Sequence, residues 1–368
     1  MEKIPGTKSF FPDSSIERIL GSMREILSSG YLSNGEYARK LEAEWAGRLG
    51  RQCIAVCNGT SALEMAFRLG RVSGKRVVVP ASTIYLDAYA AERAGGEVIF
   101  SDADPKNGCM RAEDLAGIDG SKVGAVCATH LGGIVTPEIM RIREICDEKG
   151  WFLLEDAAHA HGSTHPGGQA GSFGHASIFS FFNTKVATCG EGGMVALENP
   201  DGMQEAQMIA DQGLLKGKNQ IPGGNMRMSE LSACVGLEQT RMLDEMVGKR
   251  NAIAAAYVKG LEGKIEIARP AEGSTCNYYK YSVIVPAGVD RDSLRKSISE
   301  KYGIPMPGGV YYLPCHLQPV WKGKYGKGDF PGAEEWADRH LCLPLVPQMS
   351  TEQAEYVAKI LLKEVGLE

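Results

Sequence analysis

A series of short apolar runs, most of them separated by segments of helical periodicity, constrains this 368-residue chain more than any other feature. The runs are Cys53–Cys57, Arg76–Pro80, Val98–Asp102, Val123–His130, Phe152–Asp156, Ala176–Phe181 and Met194–Leu197. Several are continuous Val, Ile or Leu stretches rather than alternating ones, which is the pattern of a strand covered on both faces. Helical segments such as Ser61–Leu69 and Pro137–Lys149 lie between them. Strands alternating with helices predict an α/β layered domain with a mostly parallel central sheet.

The flanks read differently. Residues 13–30 predict a helix opened by a Ser14/Glu17 capping box, with Ile16, Ile19, Leu20, Met23, Ile26 and Leu27 on one face and Gly30 ending it. A second helix is expected over Glu36–Leu49. From Met228 to Leu261 the pattern is long and helical. A Gly/Pro-rich patch at 268–274, a strand at Tyr281–Pro286, a helix at Asp290–Tyr302, an irregular stretch at 303–331 and a final helix capped by Ser350 follow. The expected division is a large α/β domain with the N-terminal helix, residues 1–245, and a smaller α+β domain, residues 246–368.

Composition excludes several partner classes. The net charge is −5 with both signs mixed along the chain, so no electrostatic case exists for nucleic acid or an anionic membrane. No stretch has the run of apolar residues that a membrane span needs, and the opening MEKIPGTKSFFPDSS has no apolar signal core, so a cytoplasmic location is expected. Ten cysteines without a CxxC pair, several of them inside apolar runs, read as reduced packing residues rather than a zinc site.

Polar chemistry gathers at the ends of the central strands, where open α/β sheets place their ligands. Asn58-Gly59-Thr60-Ser61 follows a strand and opens a helix. Free N–H groups and the helix dipole make that turn a phosphate seat, although Thr60 or Ser61 as a plain N-cap explains it equally well. Asp156 closes the run Leu154-Glu155-Asp156, and an ionised carboxylate there calls for a buried cation unless it is a helix N-cap. His159, His161 and His165 with Asp156 also supply metal-ligand chemistry, the sharper rival reading. Lys185 follows the apolar strand Phe179-Ser180-Phe181 and precedes Gly190-Glu191-Gly192-Gly193, whose glycines let backbone approach a ligand. Apolar surroundings disfavour the ammonium and leave a nucleophilic amine; the alternative is a solvated loop lysine. Finally, Asn225 and Arg227 precede Ser229, which is placed to cap the next helix.

In this order and spacing, these segments resemble the DegT/DnrJ/EryC1/StrS family of sugar aminotransferases dependent on pyridoxal 5'-phosphate (PLP). The similarity extends from Ser29-Gly30-Tyr31-Leu32-Ser33 through Val79-Pro80 and His130-Leu131-Gly132-Gly133 to Leu343-Pro344. The resemblance implies a fold-type I transferase in which Lys185 binds PLP covalently and Asp156 partners its pyridine nitrogen. It places His159 against the ring region and Thr60, Ser61 and Ser180 on the phosphate. Asn225 matches an asparagine that reaches the phosphate from the other subunit, which implies a homodimer with shared active sites. Tyr31, Arg227 and His316 lie in segments that resemble substrate-side loops. The implied reaction moves an amino group from Glu or Gln to a keto sugar, with a nucleotide-linked keto-hexose expected and a keto-cyclitol as the alternative.

Two positions depart from the family pattern. Ile84 stands where an aromatic residue normally covers the ring, so either Ile84 or Tyr85 is expected to take that place. Met226 replaces the usual tyrosine. Family members that dehydrate rather than transaminate carry His in place of the lysine, and Lys185 argues against that branch. A metal-dependent hydrolase built on the histidines and a non-catalytic regulator of the same fold are the readings from other classes.

Overall fold

The computed structural model describes residues 3–6 and 8–367. Its central sheet contains β1 (Gln52–Val56), β2 (Arg76–Pro80), β3 (Glu97–Ser101), β4 (Val123–Thr129), β5 (Phe152–Asp156), β6 (Ala176–Ser180) and β7 (Gly193–Leu197). Across the sheet the order is β1-β7-β6-β5-β4-β2-β3. Neighbours from β6 to β3 pair parallel, and β7 runs antiparallel to both β1 and β6.

Burial explains the continuous apolar runs. Ala55, Val78, Val126, Leu153, Phe179 and Met194 enter one core, while their strand neighbours Val56, Val79, Cys127, Leu154, Ile178 and Val195 enter another. Successive side chains on a strand point to opposite faces, so apolar residues in succession need cover on both sides. The first face receives side chains of α1 (Asp13–Ser29), α2 (Glu36–Leu49), α6 (Ile139–Lys149) and α8 (Glu230–Arg241). The second receives α3 (Gly59–Leu69), α4 (Tyr85–Arg93) and α7 (Met203–Ala210). A short α5 (Ala112–Ala116) precedes β4.

The long α9 (Leu243–Leu261) leads into a three-stranded antiparallel sheet, β8 (Glu266–Ile267), β9 (Tyr281–Ile284) and β10 (His340–Leu343), accompanied by α10 (Arg291–Tyr302), α11 (Pro331–Arg339) and α12 (Thr351–Glu364). Tyr257, Tyr281, Val283, Leu341 and Leu361 share a third core, into which Ile4 also packs. Ser350 caps α12 in a capping box with Gln353. Among the described residues, no helix is long and apolar enough to cross a membrane.

Two local expectations need correction. The first concerns α1, which starts at Asp13 with Pro12 as its N-cap and no side-chain cap. Pro12 has φ −62° and ψ 151°, which already sets the entry into the helix, so Ser14 falls inside its first turn and makes no capping box. The second concerns the irregular stretch 303–331, which ends where Pro331 begins α11. Proline is well suited to a first helical position because its missing N–H has no partner to lose there.

Candidate active site

The parallel strands deliver polar residues to one edge of the sheet. Thr129 and Asp156 are register partners at the ends of β4 and β5, and Ser180 ends β6 opposite Gly193. Around them stand the turn after β1, the loop carrying Lys185, and Thr83 and Asp87 at the start of α4.

The turn after β1 is built for close approach. Asn58, not Thr60 or Ser61, caps α3, its side chain accepting from Ser61 N–H at 2.8 Å. Thr60 and Ser61 lie in the first helical turn, both half-buried. Among the described residues the N–H groups of Gly59 and Thr60 have no partner, as is usual for a first turn. A Cβ on Gly59 would lie 2.8 Å from Ser180 Cβ, and one on Gly193 would lie 2.4 Å from Asn58 O. The glycine-rich turn after Lys185 thus makes its close approach to Asn58–Gly59. Together these glycines press an open helix N-terminus against Ser180, leaving a cradle of the kind that accepts a phosphate.

Asp156 is buried, and its Oδ1 accepts from Ala158 N–H at 2.9 Å. A turn follows rather than a helix, so Asp156 is not an N-cap. Lys185 is half-buried, with Nζ 4.9 Å from the centre of the Tyr279 ring. Burial pushes its amine down to about 8, while Asp156 and Asp87 pull upward and Lys280 adds to the fall. A lysine so placed is not a solvated loop residue. Tyr279 is itself held in place: its hydroxyl lies 2.9 Å from Thr184 Oγ1, and its N–H donates to Asn277 Oδ1 at 2.8 Å.

His159 is buried and stacks on Tyr279 at 4.4 Å. Its Nδ1 accepts from Gly132 N–H at 3.3 Å and its Nε2 lies 3.4 Å from Tyr311 OH. Burial, followed by Lys185, Lys280 and His161, holds the ring neutral. With Nδ1 accepting, the proton belongs on Nε2, facing Tyr311. The other two histidines diverge from it. His161 is walled by Trp45, Phe179 and Phe181, and His165 Nε2 lies 3.2 Å from Pro137 O. No group of three or more His, Cys, Asp or Glu able to hold a metal occurs among the described residues.

Of the remaining sequence candidates, Asn225 and Arg227 flank Met226, whose carbonyl accepts from Cys57 N–H just before the Asn58–Gly59 turn, and the Ile84 carbonyl accepts from Asp87 N–H. Tyr31 is 77% exposed and Asn225 is exposed. Arg227 pairs with Asp211. His316 is buried, with Nε2 3.1 Å from Glu334 Oε1. Ile84 is the half-buried N-cap of α4, and Tyr85, half exposed, begins that helix beside Tyr89. A cleft of about 610 Å³ opens onto Lys185, lined in part by Lys8, Phe10, Tyr279, Lys280, Pro305 and Pro307. Of the carboxylate cluster it touches Lys185 but not Asp156, Asp87 or His159.

Sequence reasoning missed Asp87, Thr83 and Thr129. Asp87 is fully buried, its Oδ2 lying 2.7 Å from Thr83 Oγ1 and 2.9 Å from Thr129 Oγ1. Its pattern in the chain is that of an ordinary acidic residue in a first helical turn. The flanking Ala88, Ala90 and Ala91, all buried, were the available sign that this turn faces inward.

Residues 13–362 match the DegT/DnrJ/EryC1/StrS aminotransferase family. The chain belongs to that family. It is 31% identical over 343 residues to a GDP-perosamine synthase of Escherichia coli O157:H7, covering 92% of this chain and 93% of the relative. A dTDP-4-dehydro-2,3,6-trideoxy-D-glucose 4-aminotransferase of Saccharopolyspora spinosa is 28% identical, covering 94% of each. The crystal structure of the aminotransferase TlmJ from Streptoalloteichus hindustanus superposes with a TM-score of 0.89 at 29% identity, covering 99% of each chain.

Proposed function

We propose that this family member is a PLP-dependent aminotransferase that carries an amino group from glutamate or glutamine to a nucleotide-linked keto-hexose. The observation that carries the reading is the lysine amine, lowered to about 8, set near two buried carboxyls, Asp156 at the end of β5 and Asp87 in the first turn of α4. Lys185 would hold the cofactor, Asp156 its ring nitrogen, and Ser180, Thr60, Ser61 and the open N–H groups of the α3 turn its phosphate. His159, neutral and wedged between Tyr279 and Tyr311, would bound the ring, and Ile84 or Tyr85 would cover its other face. When bound, PLP supplies an electron sink. The protein supplies the proton traffic, because Lys185 Nζ, once free, takes and returns a proton near neutral pH.

The acceptor class rests on the nucleotide-sugar names of the relatives and on space. A cleft of about 610 Å³ at Lys185 suits a ligand larger than a simple keto acid. A keto-cyclitol remains the second reading, since it would use the same amine and the same cleft. We place the chain in a homodimer with Asn225 serving the partner's site, which fits its exposure here. The ten free cysteines fit a cytosolic setting. To test the acceptor, enzyme loaded with amine from glutamate is mixed with candidate acceptors while the cofactor absorbance is followed. Rapid return with a nucleotide keto-hexose is expected; return with simple 2-keto acids alone would reject both sugar readings.

A further inference from the structure

We infer that Asp87 is a neutral carboxylic acid whose Oδ1 proton is donated to Asp156, and that this bond positions Asp156 for the cofactor nitrogen. Only the second half rests on the cofactor reading.

Asp87 sits in the first turn of α4 with no exposed surface. Both hydroxyl neighbours, Thr83 and Thr129, stand at Oδ2, whereas Oδ1 is buried without a hydrogen-bond partner. An unpaired buried polar atom is costly, and a proton on Oδ1 turns this one into a donor. Asp156 stands beside it, carried next to Thr129 by the strand register. Two adjacent buried carboxyls do not both ionise; they share one proton.

The surroundings decide which of the two keeps it. Asp156 accepts a backbone N–H at Oδ1, and the Lys185 amine is drawn more strongly by Asp156 than by Asp87. Those contacts favour charge on Asp156. The other titratable groups that sense Asp87 are Tyr311, Cys127 and Cys315, each held neutral by burial, so none offers a second cation. The dipole at the start of α4 favours an anion, but such terminal effects are smaller than the cost of a second buried charge. In keeping with this, burial first and Asp156 second raise the Asp87 acid well above the usual carboxyl range.

Asp87→Asn preserves a donor where the acid carries its proton, and Asp87→Ala removes it. Infrared difference spectra of the cofactor-free protein at neutral pH are expected to contain a protonated-carboxyl band that is absent in Asp87→Asn. Identical carboxyl regions in the two proteins would overturn the inference. This arm contains no cofactor, so its result holds even if the PLP reading fails. PLP is then titrated into wild type and both variants. Asp87→Asn should bind within about threefold of wild type and Asp87→Ala roughly tenfold or more weakly, the size of a lost hydrogen bond to a charged group. An Asn variant as weak as the Ala variant would overturn the positioning role. Should Asp87→Ala fail to fold, the infrared comparison and the Asn affinity decide.

Discussion

At Lys185 the local chemistry makes a pH-dependent claim. Burial holds the amine at about 8, below the ordinary lysine value of 10.5. Capture of PLP by cofactor-free enzyme needs the free amine, so its rate is expected to climb with pH through a midpoint near 8. The sign follows from the direction of the shift. A lysine whose folded value lies below its unfolded one opposes folding while protonated, and that opposition fades as pH rises through 8 toward 10.5. Asp156 favours the ammonium, so Asp156→Asn should move the capture midpoint lower still. A midpoint that stays at the ordinary lysine value in either protein would contradict this placement. Lys185 and Asp156 were legible in the sequence because each ends or follows an apolar strand. Asp87 was not, because an acid in a first helical turn is usually solvated and the alanines around it are only a weak sign of burial.

Among the elements, β5 shows how one motif serves two purposes. Asp156 points to the site while its neighbour Glu155, on the opposite face, is fully buried. Its carboxylate lies 2.8 Å from His130 Nε2 and accepts N–H groups of Gly171, Phe173 and Gly174 at 2.6 to 2.8 Å. These contacts hold its acid value low despite the burial that pushes it up. Glu155→Gln should therefore cost about 3 kcal/mol, the scale for losing hydrogen bonds to a buried charged group, as read by urea denaturation. The stabilisation from Glu155 is present above the unfolded carboxyl value and lost as pH falls through the depressed folded one, so the variant should also have a flatter acid limb. A loss under about 1 kcal/mol would mean that these contacts are weak. Strand positions in the sheet were readable from the chain because double-sided burial leaves continuous apolar runs. By contrast, β10 and α11 escaped notice, since His340–Leu343 is short and Pro331–Arg339 follows a loop rich in glycine and proline.

For the whole molecule, the α1 stripe gives the argument for a second copy. Ile19 and Ile26 are buried as expected, but Leu20 is 53% and Leu27 61% exposed, as are Tyr31 and Leu32 nearby. Such apolar exposure is a mark of an interaction face. The stripe was visible in the sequence; its division between an inner and an outer side was not, because periodicity identifies an apolar face without saying what covers it. On the proposed dimer, Leu27→Glu is expected to shift the protein toward monomer in sedimentation equilibrium, and an unchanged dimer would remove α1 from the interface. The proposed sharing of sites carries a further consequence. Lys185→Ala and Asn225→Ala proteins, each inactive alone, should on subunit exchange form heterodimers with one intact site, restoring about a quarter of wild-type activity from a random equal mixture. Exchange without recovery would leave Asn225 outside the partner's site.

Borohydride reduction of PLP-treated protein, followed by peptide mass analysis, tests the identity of the cofactor-binding residue most directly. The phosphopyridoxyl mass should sit on the peptide containing Phe182-Asn183-Thr184-Lys185, on Lys185 itself, and vanish in Lys185→Ala. A label on another lysine, or none after treatment with excess PLP, would contradict the assignment of Lys185 and with it the active site at the strand ends.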